Sequence, residues 1–345
     1  MSGKENIVVI GGGAWGSAIA HQLRSHPQNT IELLVRAQTT AEDLKQGKVR
    51  QYPRLTGLPG FAATTDTACL KQADILYLVV PVAAHREMFE VIKTHTSENC
   101  PVILCAKGLL ADEDKGGIFL QEYAEKELGN RPVALFTGPS FADEVLSGLP
   151  TALLAASSDS TLSARVASHF DNSKLRIYQG QDVMGAALGG AVKNVIAIAA
   201  GICTGQKLGD NARAGLITRG LAETMRLAEA LGASRATMSG LAGIGDLVLS
   251  CSNDHSRNMA YGLALGSGSK ISEKLAEGRH SAAHLCARAN YENIEMPVCA
   301  AVDKIVNHHA DIQATITALL SRRAGLEIWH LYKYISLVKN PFQER

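Results

Sequence analysis

Short apolar runs rich in β-branched residues recur through the first half of the chain: Ile7–Ile10, Ile31–Val35, Ile75–Val80, Val102–Cys105, Val133–Thr137 and Thr151–Ala155. Continuous apolar runs of this length suit strands buried on both faces, and the segments between them carry helical or turn signals. This alternation predicts a mostly parallel sheet with helices on both faces. Pro81 closes the third run, because a residue without an N–H does not extend a central strand. The pattern changes after about residue 181. From Val183 to Gly205 the chain is small and apolar, with Gly189, Gly190, Ala191, Ala197, Ala199, Ala200 and Gly201. It reads as one long buried helix whose glycines admit close neighbours at some cost in helix propensity. Gly215–Leu231, Ser256–Leu265 and Val298–Val306 also carry helical patterns. The expected fold is α/β: a sheet domain over residues 1–181, tightly joined to an all-α domain over residues 182–345.

The turn after the first run carries the first chemical signal. Gly11-Gly12-Gly13-Ala14-Trp15-Gly16 is a G-x-G-x-x-G between a strand and the helical stretch Ser17–Leu23. Gly11 permits the tight turn, Gly13 lets the backbone approach a pyrophosphate, and Gly16 lets helix and strand pack closely. Ala14 and Trp15 sit at the helix start, where free N–H groups favour an anion. The first domain is therefore expected to be a Rossmann-like dinucleotide-binding domain. An acidic residue about twenty positions further on would bind a ribose 2′-OH. Arg36 stands there, and Glu32 lies too early, within the strand. A guanidinium can pair with a 2′-phosphate and offers no acceptor to a free 2′-OH, which favours NADP (NADPH) with NAD still possible.

Composition narrows the function classes. The chain has 345 residues, 46% hydrophobic and only 5% aromatic, so its core must be built mostly from Ala, Val, Ile and Leu. A net charge of +1 gives no electrostatic case for nucleic acid or an anionic membrane. No apolar stretch is expected to span a bilayer, and the N-terminus lacks a signal-peptide core. Seven cysteines without C-x-x-C spacing fit a reducing cytoplasm. His280 with His284, and His308 with His309, lack further ligands in sequence, so no metal site is expected.

Several segments, taken in order, resemble the bacterial-type NAD(P)-dependent glycerol-3-phosphate dehydrogenases. They are Gly11–Gly16, Ala106-Lys107-Gly108, Thr137–Ala142, Leu188–Ala197, Asn211–Arg213, Leu216–Gly220, Gly243–Leu247 and Ser256-Arg257-Asn258. The resemblance runs to about Arg323. It implies reversible hydride transfer between sn-glycerol 3-phosphate and dihydroxyacetone phosphate, a site between the two domains, and supply of glycerol phosphate for phospholipid synthesis. A small phosphorylated three-carbon substrate and a homodimer are the expected partners.

The residues are compatible with that chemistry. Oxidising a secondary alcohol needs a base within hydrogen-bond reach of the hydroxyl. Lys193 lies in an apolar helix just after two glycines, where desolvation and a second cation would lower its pKa. Lys107, at the end of a strand, could be that cation. The resemblance makes Lys193 the base and places Lys107 at cofactor and substrate. It moves Asp246, which could otherwise be a turn cap, into the active centre, and suggests support from Ser250. Arg257 offers a fork for the substrate phosphate and also reaches the cofactor, with Ser256 and Asn258 beside it. Gly138 and Ser140 would serve the substrate side, while Ala142, Leu275 and Glu277 would complete the cofactor contacts.

Two departures stand out. Arg279-His280-Ser281-Ala282 replaces a stretch that commonly contains Thr, and the segment with Trp329, Tyr332 and Tyr334 extends past the resemblance. Two other readings remain open at this point. A β-hydroxyacid or ketopantoate reductase would share the architecture but has a Lys-x-x-x-Asn spacing, whereas Lys193 and Asn194 are adjacent. A non-catalytic NAD(P)-binding regulator would not need Lys107, Lys193, Asp246 and Arg257 together.

Overall fold

The computed structural model describes residues 4–252, 255–271 and 276–322. Strands β1 (Glu5–Ile10), β2 (Asn29–Leu34), β3 (Ala63–Thr64), β4 (Ile75–Leu78) and β5 (Val102–Leu104) come first. The two-residue strands β6 (Leu109–Leu110) and β7 (Ile118–Phe119) form a separate hairpin. Then follow β8 (Val133–Thr137), β9 (Thr151–Ala156) and β10 (Leu175–Gly180). The main sheet has the order β10-β9-β8-β5-β4-β1-β2-β3. Every pair is parallel except β8–β9. Period-two alternation sends Ile7, Val9, Leu33, Tyr77 and Phe136 to one core, and Val8, Ile10, Leu34, Leu76 and Leu78 to the other. Helices α1 (Ala14–Leu23), α2 (Gln38–Lys45), α3 (His85–His95), α4 (Leu120–Leu128), α5 (Ala142–Leu146) and α6 (Ser160–Ser168) intervene. The chain leaves β1 towards β2 on one side and reaches β4 on the other, so a switch point lies at the carboxyl end of β1, next to Gly11.

Beyond β10 the described elements are helical: α7 (Val183–Gly205), α8 (Asp210–Ala230), α9 (Arg235–Met238), α10 (Asp246–Ser252), α11 (Arg257–Ser267), α12 (Glu277–Tyr291), α13 (Pro297–His308) and α14 (Ile312–Leu320). Helix α7 is the axis of this half and lies against α8, α10, α11, α12 and α13. Its closest partner is α11, and glycines on both sides explain the approach. A Cβ on Gly201 would stand 2.2 Å from the Met259 carbonyl oxygen, and one on Gly262 would stand 2.1 Å from that of Ile198. Contrary to the sequence reading, α7 is long and apolar enough to span a bilayer. It is nevertheless a core helix, with 89% of its most apolar stretch buried and Lys193 in its middle.

The sequence reading did not anticipate β10, an edge strand with mixed polarity, or the short β3, β6 and β7. It also gave no sign of the antiparallel β8–β9 step, because a buried apolar run has the same composition in either direction. Helix α8 starts earlier than Gly215 because its first turns are exposed and carry no apolar stripe.

Candidate active site

The centre is built where strand ends of the sheet meet α7 and α10. Gly189 of α7 is in backbone contact with the turn before α10: a Cβ there would stand 2.2 Å from the Ala242 carbonyl oxygen. That turn, Leu241–Gly245, doubles back tightly, and a Cβ on Gly243 would stand 2.1 Å from the Met238 carbonyl oxygen. It delivers Asp246 as the first residue of α10, fully buried. Lys193 is one helical turn beyond Gly189 and therefore on the same face. Lys107 arrives from the end of β5, its aliphatic stem lying over Gly190 with carbons 3.1–3.3 Å from where a Cβ would be.

Lys107 Nζ donates to Asp246 Oδ2 at 2.5 Å, and Lys193 Nζ donates to Asp246 Oδ1 at 2.7 Å. Lys107 Nζ also donates to the Gly138 carbonyl at 3.0 Å. Burial alone would raise the Asp246 pKa, but the two ammonium groups outweigh it and hold the carboxyl below its usual range. Burial draws the Lys107 ammonium down to about 8; Asp246 opposes the shift and Lys193 reinforces it. The causes expected to act on Lys193, desolvation beside a second cation, act on Lys107. Two cations share one carboxylate, so the charge of Lys107 depends on both of its neighbours.

The other expected residues lie just past β8, on α10 and at the starts of α11 and α12. Gly138, at φ +130°, has its carbonyl towards Lys107, and Ser140 Oγ donates to the same oxygen at 3.3 Å. Ser250 is buried one turn past Asp246 on α10. Ser256 caps α11 by accepting from the Met259 N–H. Asn258 is committed on both sides: Nδ2 donates to Asn194 Oδ1 at 2.9 Å, and Oδ1 accepts from the Gly278 N–H at 3.0 Å. Asn258 thereby ties α11 to α7 and to the start of α12, where Glu277 is the first residue. Arg257 is exposed at the first position of α11 and is not bonded to the Lys–Asp–Lys unit. Its charge acts instead on Tyr52, whose pKa burial and Asp143 raise and Arg257 lowers.

The glycine turn fits a dinucleotide. Gly11 has φ +121°, and a Cβ there would meet the Val79 carbonyl oxygen at 2.3 Å; one on Gly16 would meet the Gly11 carbonyl oxygen at 1.9 Å. Gly13 faces open space, with no heavy atom within 4 Å of an added Cβ. It is the N-cap of α1, which has neither a side-chain cap nor an acidic residue in its first turn. Ala14 begins α1, and the Trp15 ring stacks on Phe136 at 6.4 Å. Arg36 is exposed just past β2, and the following helix α2 also lacks a side-chain cap. Ala142 opens α5. Leu275 and the segment with Trp329, Tyr332 and Tyr334 lie outside the described residues.

Comparison with known proteins points one way. Residues 6–163 match the family model for the NAD-dependent glycerol-3-phosphate dehydrogenase N-terminus, and residues 182–317 match that for its C-terminus. The chain is 41% identical over 320 residues to a glycerol-3-phosphate dehydrogenase [NAD(P)+] of Mesorhizobium japonicum, covering 92% of each protein. It superimposes with a TM-score of 0.85 on a glycerol-3-phosphate dehydrogenase of Coxiella burnetii, at 35% identity, covering 92% of this chain and 99% of that one. A ketopantoate reductase of Ralstonia eutropha shares the fold at a TM-score of 0.57 and 15% identity, covering 91% of this chain and 99% of that one.

Proposed function

The chain belongs to the NAD-dependent glycerol-3-phosphate dehydrogenase family, and from that premise we propose which of its residues carry the reaction. The protein is an NAD(P)-dependent oxidoreductase that interconverts sn-glycerol 3-phosphate and dihydroxyacetone phosphate. When bound, the nicotinamide supplies or takes the hydride. In our reading, residues 1–181 bind the dinucleotide and residues 182–345 bring the catalytic and substrate groups.

The observation that carries this assignment is the buried Asp246 carboxylate bonded at each oxygen by a different lysine. Lys193 moves the proton at the secondary oxygen, accepting it during alcohol oxidation and donating it during carbonyl reduction. Lys107 supplies the second positive charge beside that oxygen, and Asp246 orients both amines. Lys107 is drawn to about 8, and once it has lost its proton Lys193 no longer faces a second cation. Alcohol oxidation should therefore rise through about pH 8 and carbonyl reduction should fall through it. Arg257, flanked by Ser256 and Asn258, takes the substrate phosphate, and Gly138 and Ser140 serve the substrate as well.

For the cofactor, the free N–H groups at Gly13, Ala14, Trp15 and Gly16 hold the pyrophosphate, with Gly11 making the turn. Lys107, Ala142, Arg257, Leu275 and Glu277 complete the contacts. We favour NADP over NAD because Arg36 and the uncapped start of α2 together offer a site for a 2′-phosphate. A homodimer in the cytoplasm, supplying glycerol phosphate for phospholipid synthesis, completes this reading.

The test is a nicotinamide absorbance assay with dihydroxyacetone phosphate. Lys193→Ala should lose about a hundredfold to ten-thousandfold in turnover while binding the reduced cofactor normally. Near-normal turnover across the pH range would remove Lys193 from the mechanism.

A further inference from the structure

Behind Lys107 lies a small, partly enclosed cavity between the ends of β5 and β8 and the faces of α4 and α7. Lys107, Gly108, Gln121 and Thr137 line it together with apolar side chains that include Phe136 and Ala186. It offers about 10 Å³ to the centre of a water molecule, room for one. Thr137 is 4% exposed and Gln121 is 3% exposed. Thr137 Oγ1 and Gln121 Oε1 have no hydrogen-bond partner among the described residues, whereas Gln121 Nε2 is held by Met184 Sδ at 3.4 Å. Two buried, unpaired oxygens on one cavity are costly unless something in that cavity satisfies both. A hydroxyl can donate or accept, and an amide oxygen only accepts, so a molecule that both donates and accepts suits the pair.

We propose that Thr137 and Gln121 hold one buried water behind Lys107 and act through it as positioning residues for that lysine. Thr137 immediately precedes Gly138, whose carbonyl accepts from Lys107 Nζ, so fixing Thr137 also fixes an acceptor of the ammonium. The groups that already face Lys107 are Asp246 from α10 and Lys193 from α7, with the Cys105 thiol two residues earlier in the chain. None of them lies behind the lysine in this cavity. A water there would solvate the charged form and help resist the burial that draws Lys107 down. The inference rests on the catalytic role given to Lys107 above.

The test uses the full chain with near-isosteric variants Thr137→Val and Gln121→Met, and Thr137→Ser as the variant that keeps the hydroxyl. Lys107 is titrated through its lysine ε-carbon resonance, assigned by its loss in Lys107→Met, and kcat and KM are measured beside it. Without the water the ammonium is less solvated. Both apolar variants should then titrate about half a pH unit lower than wild type. Their kcat should fall roughly three- to tenfold with cofactor KM unchanged, and Thr137→Ser should stay close to wild type. Wild-type titration curves in both folded variants would overturn the proposal. So would a high-resolution crystal structure with no ordered water in reach of Thr137 Oγ1 and Gln121 Oε1. A shifted titration with unchanged kcat would support the water site and count against the catalytic role of Lys107.

Discussion

Asp246 shows what one side chain contributes. Removing its charge while keeping its shape, as Asp246→Asn, leaves two ammonium groups facing each other without a counter-charge. Lys107 should then titrate below about 8, since the group opposing its shift is gone. Turnover should fall by roughly two to three decades, with the pH midpoint of alcohol oxidation moving to lower pH. A pH–rate profile that keeps its wild-type midpoint would detach the unit from the rate. On the proposed role of Arg36 in cofactor choice, Arg36→Ala removes a contact that only the 2′-phosphate would make. Such charge-assisted bonds contribute about 1.5–3 kcal/mol, so NADPH affinity should drop by roughly one to two decades while NADH changes little. Parallel losses measured for the two reduced cofactors would instead indicate stacking of Arg36 on the adenine. At this scale the sequence was informative where a residue type contradicts its surroundings, as Lys193 does inside an apolar helix. It could not show that Asp246 bridges both lysines, because the bonded residues lie 139 and 53 positions away. Nor could it show that the Asn258 amide is already occupied by Asn194 and Gly278.

Elements were legible in proportion to how strongly burial shaped their sequence. Helix α7 was recoverable from its apolar run between the same ends, whereas α12 and α14 were not among the expected helices. The glycines of α7 looked like a propensity cost and turn out to be the contact surface for α11. The exposed α8 hides a further device. Its inward-facing Glu223 is 3% exposed and accepts from the Val298 N–H at 2.8 Å and the Cys299 N–H at 3.4 Å, capping the start of α13. Burial pushes this carboxyl up from 4.5 to about 7, against the pull of those two N–H groups. The folded protein therefore binds this proton more tightly than the unfolded chain. Its contribution favours folding below about pH 4.5 and is lost progressively as pH rises to about 7, by at most roughly 3 kcal/mol. Glu223→Gln removes the titration while keeping an oxygen for the Val298 N–H. Denaturant unfolding of the variant should show a flatter pH dependence between 5 and 8, about these values. A slope equal to wild type would mean that Glu223 does not titrate in this window.

The whole molecule works only if the two halves hold the strand ends and α7 in register, and one buried contact bears directly on this. Arg288 of α12 is 3% exposed and forks onto Glu122 of α4, with Nη1–Oε2 at 2.7 Å and Nη2–Oε1 at 2.9 Å. The guanidinium also donates to Glu292 Oε1 at 2.9 Å and lies over the Phe119 ring at 5.5 Å. Gly117 completes the seat, because a Cβ there would stand 2.4 Å from the His284 carbonyl oxygen. From the other end of α12, the Gly278 N–H reaches Asn258 and, through it, Asn194 beside Lys193. The clamp thus joins the sheet domain to α12, whose start is tied through Asn258 to α7. Breaking one side of a buried ion pair leaves an uncompensated charge and typically costs about 3–5 kcal/mol. Arg288→Met should therefore lower the unfolding free energy by about that amount, and the double variant with Glu122→Gln should recover part of it. If the clamp also sets the register of the site, Arg288→Lys, which keeps the charge and loses the fork, should retain most of the stability yet show a lowered kcat. Measured side by side, wild-type turnover in Arg288→Lys would reduce the clamp to a stabilising contact. A kcat loss out of proportion to the stability loss would make the fork part of how the two domains present Lys107 and Lys193 to one carboxylate.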